Sequence, residues 1–254
     1  MILSSRFRTG KRYNWNMQVL FQETQNLLGI KLTQEQLATF DIYLNELADW
    51  NQRANLTAIK DPRDVERILF LDSLSCLLAM RGSPMSKIVD VGTGAGFPGL
   101  PLKIVHPELE LTLLESNRKK AVFLEHMVQV LSLEKVEVLH MRAEKAGHLA
   151  SHRESYDWAL VRAVAKLPVL CEYLLPLVKV GGYMLAQKGT RIEAEVDAAN
   201  EALGILGGGL KEIIPYSLLE MPEERNLVIV NKTDRTPKKY PRREGIPTKR
   251  PIGR

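Results

Sequence analysis

The sequence predicts an α/β fold: a Rossmann-like, seven-stranded and mostly parallel sheet preceded by an N-terminal helical cap. Three observations carry that expectation. From Lys87 onward, short apolar runs alternate with helical stretches, the pattern of parallel strands joined by crossover helices. The first run, 87–91, contains a carboxylate near its end and breaks into the turn Gly92-Thr93-Gly94-Ala95-Gly96-Phe97-Pro98-Gly99. Before Lys87, apolar residues recur at helical spacing only.

Taken in order, residues 1–16 carry Arg6, Arg8, Lys11 and Arg12 without a clear apolar face and are expected to be a disordered or over-extended start. A first helix is predicted from Val19 to Leu28, closed by Gly29. Thr33-Gln34-Glu35-Gln36 has the capping-box spacing and precedes Leu37, Phe40, Leu44, Leu47 and Trp50 on one helical face. Asp61-Pro62 opens another helix, with Ile68, Leu71, Leu74 and Leu78 on a face and Gly82 at its end. These make residues 17–84 the helical cap.

Strands are predicted at 87–91, 110–115, 136–140, 156–161, 182–187, 210–216 and 226–231. Helices are expected at 98–106, 118–131, 166–179 and 191–205. The last two strands have no helix-length spacer and should pair as an antiparallel hairpin. Residues 85–231 thus form the main domain, with the strand and helix order of a class I S-adenosylmethionine (AdoMet) dependent methyltransferase. Residues 232–254 are rich in Pro and Lys/Arg and are expected to be an unpacked basic tail.

A chain of 254 residues can bury a full core for one α/β domain and its appendage. Cys76 and Cys171 lie in leucine-rich stretches without metal or redox spacing, so they read as buried, inert thiols in an intracellular protein with no metal site. No apolar run has the length of a membrane span. The net charge of +5 collects at the ends: a local +7 over 231–254, +4 over 1–22, and about −6 between them. Basic arms around an acidic body suggest a polyanionic partner, against the alternative of a solubilising tail.

The glycine turn admits two nucleotide readings. Gly94-x-Gly96-x-x-Gly99 matches the dinucleotide fingerprint, in which a pyrophosphate sits on the helix N-terminus. Asp90 argues otherwise, because a carboxylate at that strand end repels a pyrophosphate but suits the amino group of AdoMet. Glu115, ending the second strand, can take ribose hydroxyls in either case. Ligands of open α/β sheets bind outside the carboxyl ends of the strands. Those ends carry Asp90 with Gly92 and Gly94, Glu115, Arg142-Ala143-Glu144, Arg162 and Lys188. Glu144 could accept from an adenine amine, and the three cations suit phosphates or base oxygens.

Absences narrow the acceptor. The [Asn/Asp]-Pro-Pro-aromatic motif of amino-group methylation is missing after the fourth strand, where the chain reads Val161-Arg162-Ala163-Val164-Ala165. Neither cysteine sits at a strand end, as cytosine C5 methylation requires. Guanine N7 presents a bare lone pair and needs no base, only alignment with the methyl donor.

At this point the chain resembles the RsmG (GidB) family of 16S rRNA guanine-N7 methyltransferases. The resemblance rests on Asn55-Leu56-Thr57-Ala58-Ile59, Asp72-Ser73-Leu74, Asp90 through Gly99, Arg142-Ala143-Glu144, Arg162-Ala163, Gln187-Lys188-Gly189 and Tyr240-Pro241-Arg242-Arg243-Glu244-Gly245-Ile246-Pro247. It implies AdoMet-dependent methylation at N7 of one guanine beside the decoding site, on 16S rRNA in the small ribosomal subunit or its precursor. The chain is expected to be a cytoplasmic monomer away from membranes. The implied AdoMet contacts are Gly92, Phe97, Ala143, Glu144 and Arg162, with Glu115 on the ribose side. The implied RNA-binding or catalytic cations are Lys119, Arg142, Arg162 and Lys188. Two positions depart from the family pattern: Leu69 where a histidine is common, and Val161 where serine is.

Other functions explain less. A small-molecule methyltransferase leaves the basic ends without a role, a purely RNA-binding module leaves Asp90 and its loop without one, and a dehydrogenase conflicts with Asp90.

Overall fold

A computed structural model describes residues 17–162, 165–218, 220–221 and 223–253. The basic start at 1–16 and Ala163-Val164 of the fourth-strand segment lie outside the described residues.

Seven strands form one sheet: β1 Lys87–Val91, β2 Glu110–Glu115, β3 Val136–His140, β4 Tyr156–Arg162, β5 Val178–Lys188, β6 Gly208–Tyr216 and β7 Arg225–Lys232. Their order is β3-β2-β1-β4-β5-β7-β6. The first five are mutually parallel, and β7 runs antiparallel between β5 and β6. The final hairpin expected from the short spacer is present.

The helices are α1 Gln18–Leu28, α2 Gln34–Ala54, α3 Pro62–Asp64, a π-helix Val65–Leu71, α4 Asp72–Leu74, α5 Leu77–Met80, α6 Gly99–Val105, α7 Arg118–Val130, α8 Ala143–Ala146, α9 Leu167–Leu174, α10 Glu193–Asp197, α11 Asn200–Leu206 and α12 Ile246–Lys249. None among the described residues is long and apolar enough to cross a membrane. Gly29 closes α1 in the left-handed conformation. Thr33 and Gln36 form the reciprocal capping box that opens α2.

Alternate strand residues feed two cores, one on each face of the sheet. Ile88, Leu111, Leu113, Trp158, Leu160, Leu185 and Ile229 join the cap's Phe40, Tyr43, Leu47 and Phe70 in the first. Val89, Val91, Leu114, Ala159, Val161, Met184 and Val230 join Leu170, Leu174 and Leu203 in the second. The cap is therefore packed against one face of the sheet, with a core shared between them.

Three expectations need correction. The single helix predicted after Asp61-Pro62 is instead broken by the π-helix. Every residue from 69 to 77 is buried, so this segment is enclosed on all sides, and one-sided periodicity could not describe it. The helix expected at 166–179 ends at Leu174, and β5 starts at Val178 through its pairing with Tyr156. Finally, residues 232–254 are not an unpacked tail over their described length. Tyr240 and Ile252 lie in the second core, and Thr236 is buried. Arg153 donates to the carbonyls of Thr236 and Tyr240, at 2.7 and 2.8 Å. The segment is a strap, held by a few apolar anchors and by side chains from elsewhere in the chain, neither of which composition reveals.

Candidate functional site

Because β1 to β5 are parallel, their carboxyl ends lie on one edge, at Val91, Glu115, His140, Arg162 and Lys188. The glycine turn folds across this edge from β1 toward β2: the N–H groups of Gly92 and Thr93 both donate to Leu114 O, at 2.8 and 3.3 Å. Gly96 has φ +100°, and a Cβ there would lie 2.4 Å from Leu100 Cδ1 and 2.6 Å from the Tyr43 hydroxyl. That hydroxyl donates to Ala95 O at 2.5 Å, so the cap fastens the turn from behind.

Asp90 is fully buried beneath the turn. Its Oδ2 accepts from the Thr93 hydroxyl at 2.5 Å and from the Gly99 N–H at 2.8 Å. A Cβ on Gly99 would stand 2.9 Å from the same oxygen, which explains a glycine at the start of α6. Oδ1 is buried and unpartnered among the described residues. Burial, with a smaller push from Glu115, raises the carboxyl pKa to about 7, against the hydrogen bonds and Arg162 that lower it. An orphaned carboxylate oxygen calls for a donor, best a cationic one. The ammonium group of AdoMet meets that need and a pyrophosphate does not, so the residues fit AdoMet.

Glu115 comes to the same place. Its Oε2 accepts from Gly94 N–H at 2.9 Å and its Oε1 from Asn117 N–H at 2.7 Å. Each oxygen keeps a second lone pair, so hydroxyl donors can still be bound. Gly92 is exposed and Gly94 half-buried, leaving backbone available to a ligand. Phe97 faces the other way: its ring stacks on Tyr43 with centroids 5.4 Å apart, so any ligand contact there comes from its backbone.

The remaining candidates divide. Ala143 and Glu144 are buried at the start of α8. Glu144 Oε1 accepts from the Gly245 N–H at 2.9 Å, so that oxygen serves the strap rather than standing open for an adenine amine. Arg162 is turned into the fold, donating to Ile68 O at 2.6 Å and lying 3.2 Å from Asp72 Oδ2. Lys188 is held by Ala165 O at 2.9 Å and Glu195 at 2.6 Å, the ion-pair role a lone cation commonly has. Lys119 is exposed at the start of α7, and Arg142 is exposed beside Glu244 at 3.4 Å. A cavity of about 680 Å³ opens next to Glu144, lined by Lys145, His148, Lys239 and Arg243 among others.

Sequence reasoning missed Thr93, which holds Asp90, and Tyr43, which holds the turn. It used Asp72 only as a family marker. The one local signal was a carboxylate lodged between Leu71 and Leu74 in an otherwise apolar segment.

A family model described as "GidB: rRNA small subunit methyltransferase G" matches residues 36–228. The chain is 50% identical over 226 residues to "Ribosomal RNA small subunit methyltransferase G" of Roseiflexus castenholzii, covering 88% of this chain and 95% of that protein. It is 48% identical to the protein of the same name from Moorella thermoacetica, over 88% of this chain and 93% of that one. Among solved structures, a putative O-methyltransferase from Klebsiella pneumoniae superposes with a TM-score of 0.53 at 13% identity, covering 85% of this chain and 96% of that one. At that identity the likeness speaks for the fold alone.

Proposed function

The chain belongs to the GidB family, the rRNA small subunit methyltransferase G proteins, and from that premise we propose that it methylates N7 of one guanine of 16S rRNA beside the decoding site. The methyl donor is AdoMet, which supplies an electrophilic methyl group on sulfur. The observation that carries the reading is the turn between Asp90 and Gly99, whose buried carboxylate keeps one oxygen free for an ammonium group.

The chain's own residues then do three things. Asp90 and Glu115 hold the amino and ribose ends of the cofactor, while the backbone of Gly92, Gly94, Phe97 and Ala143 shapes its seat. Lys119 and Arg142, both exposed, meet RNA phosphates, and the exposed cations Lys239 and Arg243 of the strap extend that surface. Arg162, at the end of β4, lies close enough to the turn for its charge to bear on Asp90. No general base is required, because N7 already offers its lone pair and alignment supplies the rate. The substrate is the small subunit or its precursor, and the protein acts on it as a monomer in the cytoplasm.

The test is methyl transfer from labelled AdoMet to small subunits from cells lacking the modification, with borohydride and aniline treatment to cut at 7-methylguanine. A single cut beside the decoding site supports the reading. Label without a cut removes N7 as the acceptor.

A further inference from the structure

We propose that Asp72 is a positioning residue, which clamps Arg162 at the carboxyl end of β4 so that its unpartnered N–H edge is presented to the reacting groups; this rests on the methyl-transfer reading above. Asp72 is fully buried on α4, in the cap, yet its contacts reach four strands. Its Oδ2 lies 3.2 Å from Arg162 Nη2. Its Oδ1 accepts from the Tyr216 hydroxyl at 2.7 Å and lies 3.4 Å from Arg225 Nη1. Its backbone carbonyl accepts from Gln187 Nε2 at 2.6 Å.

The topology explains the convergence. Arg162 ends β4, Gln187 stands one residue from the end of β5, Arg225 begins β7 and Tyr216 ends β6. Since β7 is antiparallel to both β5 and β6, with Lys188 opposite Asn226 and Tyr216 opposite Arg225, all four reach the edge that carries the glycine turn.

Two arginines converge on one carboxylate. Arg162 and Arg225 are 16% and 19% exposed and share the one carboxylate of Asp72, which is 1% exposed. Arg162 Nη1 and Arg225 Nε are buried without partners among the described residues. Buried donors with unmade hydrogen bonds are costly in the protein alone and are satisfied by an acceptor-rich ligand. The guanidinium of Arg162 is a rigid plane, held at Nη2 by Ile68 O and Asp72, which leaves Nη1 free. Without the Asp72 charge Arg162 loses one of its two restraints.

The experiment compares wild type, Asp72→Asn, Arg162→Ala and the double variant in methyl transfer to small subunits, with melting curves for each. Asp72→Asn is expected to lower kcat about 10- to 100-fold, the scale of a misplaced group, with KM for the subunit nearly unchanged. The double variant is expected to be no slower than Arg162→Ala, because Asp72 acts through that arginine. Tyr216→Phe, which removes a neutral hydrogen bond to Asp72, should lower kcat in the same direction by less and carries the test if Asp72→Asn does not fold. Losses that multiply in the double variant, or a raised KM at constant kcat, would overturn the proposal. So would wild-type turnover in Asp72→Asn, or in Tyr216→Phe where that variant carries the test. A wild-type protein that transfers no methyl overturns the reaction itself, and the role of Asp72 falls with it.

Discussion

Gly245 donates its backbone N–H to Oε1 of Glu144 at 2.9 Å, joining positions 101 residues apart in the chain. The bond ties the C-terminal strap to the start of α8, where Ala143 is proposed to help seat the cofactor. Removing residues 234–254 is therefore a change to the fold and the cofactor seat as well as to the charge. Losing Tyr240, Pro247 and Ile252 from buried positions should cost about 4 kcal/mol or more. A large drop in melting temperature and weakened AdoMet binding by calorimetry are expected. Unchanged melting would mean that the strap is not part of the folded unit.

The strap's strongest single attachment is Arg242 on Glu172, with Nη2 to Oε2 at 2.5 Å and Nε to Oε1 at 2.9 Å. The Glu172 side chain is only 1% exposed. Arg242→Ala leaves that buried carboxylate without its counter-charge, held only by the backbone N–H of residue 242 at 2.7 Å, and should cost about 3 kcal/mol. Arg53→Ala breaks an exposed pair with Asp49 and should cost under about 1 kcal/mol. Equal urea midpoints for the two variants would contradict this contrast.

Asp90 gives a pH dependence with a definite sign. Its pKa is about 7 in the fold against the ordinary 3.8, so between those values the folded protein holds a proton that the unfolded chain has lost. The contribution to stability is thus full below pH 4 and is lost as pH rises through 7. A cationic amine at Oδ1 favours the ionised carboxylate, so AdoMet should bind more tightly from pH 5.5 to 7.5 and release a proton as it binds. Asp90→Asn should weaken binding at least about 10-fold and flatten that profile. Calorimetry in buffers of differing ionisation enthalpy reads the proton directly, and no release at pH 6 would remove Asp90 from the amine site.

The strand positions and the glycine turn were legible because both are local: apolar runs, their spacing, and a carboxylate beside three glycines. Asp90 and Glu115 could be assigned to one edge since parallel strands put their ends together. What sequence could not show was where each side chain spends its hydrogen bonds. Lys188 and Arg162 look alike at strand ends, yet the first is held by Glu195 and the second by Asp72. The irregular helical segment escaped because residues 69–77 are buried all round and show no one-sided periodicity, and the strap because its partners Glu172 and Arg153 lie far away in sequence. Contacts that distant leave no periodic trace.

The turn itself offers a sharp steric test. Gly96→Ala must place a methyl group 2.4 Å from Leu100 Cδ1 at φ +100°, where a side chain is strained in any case. Tyr43→Phe removes the donor to Ala95 O and leaves that carbonyl unsatisfied, at about 1–3 kcal/mol. Both should weaken AdoMet binding, Gly96→Ala more than Tyr43→Phe, while RNA binding measured without cofactor stays within about twofold. RNA affinity that fell with the cofactor's would mean that the turn also carries the RNA.

The cations should separate by what they touch. Lys119 and Arg142 are exposed, so each alanine variant is expected to weaken RNA binding across sequences and to reduce the slope of log affinity against log salt by about 1. Lys188 is spent on Glu195 and Ala165 O, both inside the fold. Its alanine variant should lower the melting temperature and leave the salt slope as it was. A slope that falls for Lys188→Ala but not for Lys119→Ala would move the RNA path from the α7 side of the edge to the β5 side.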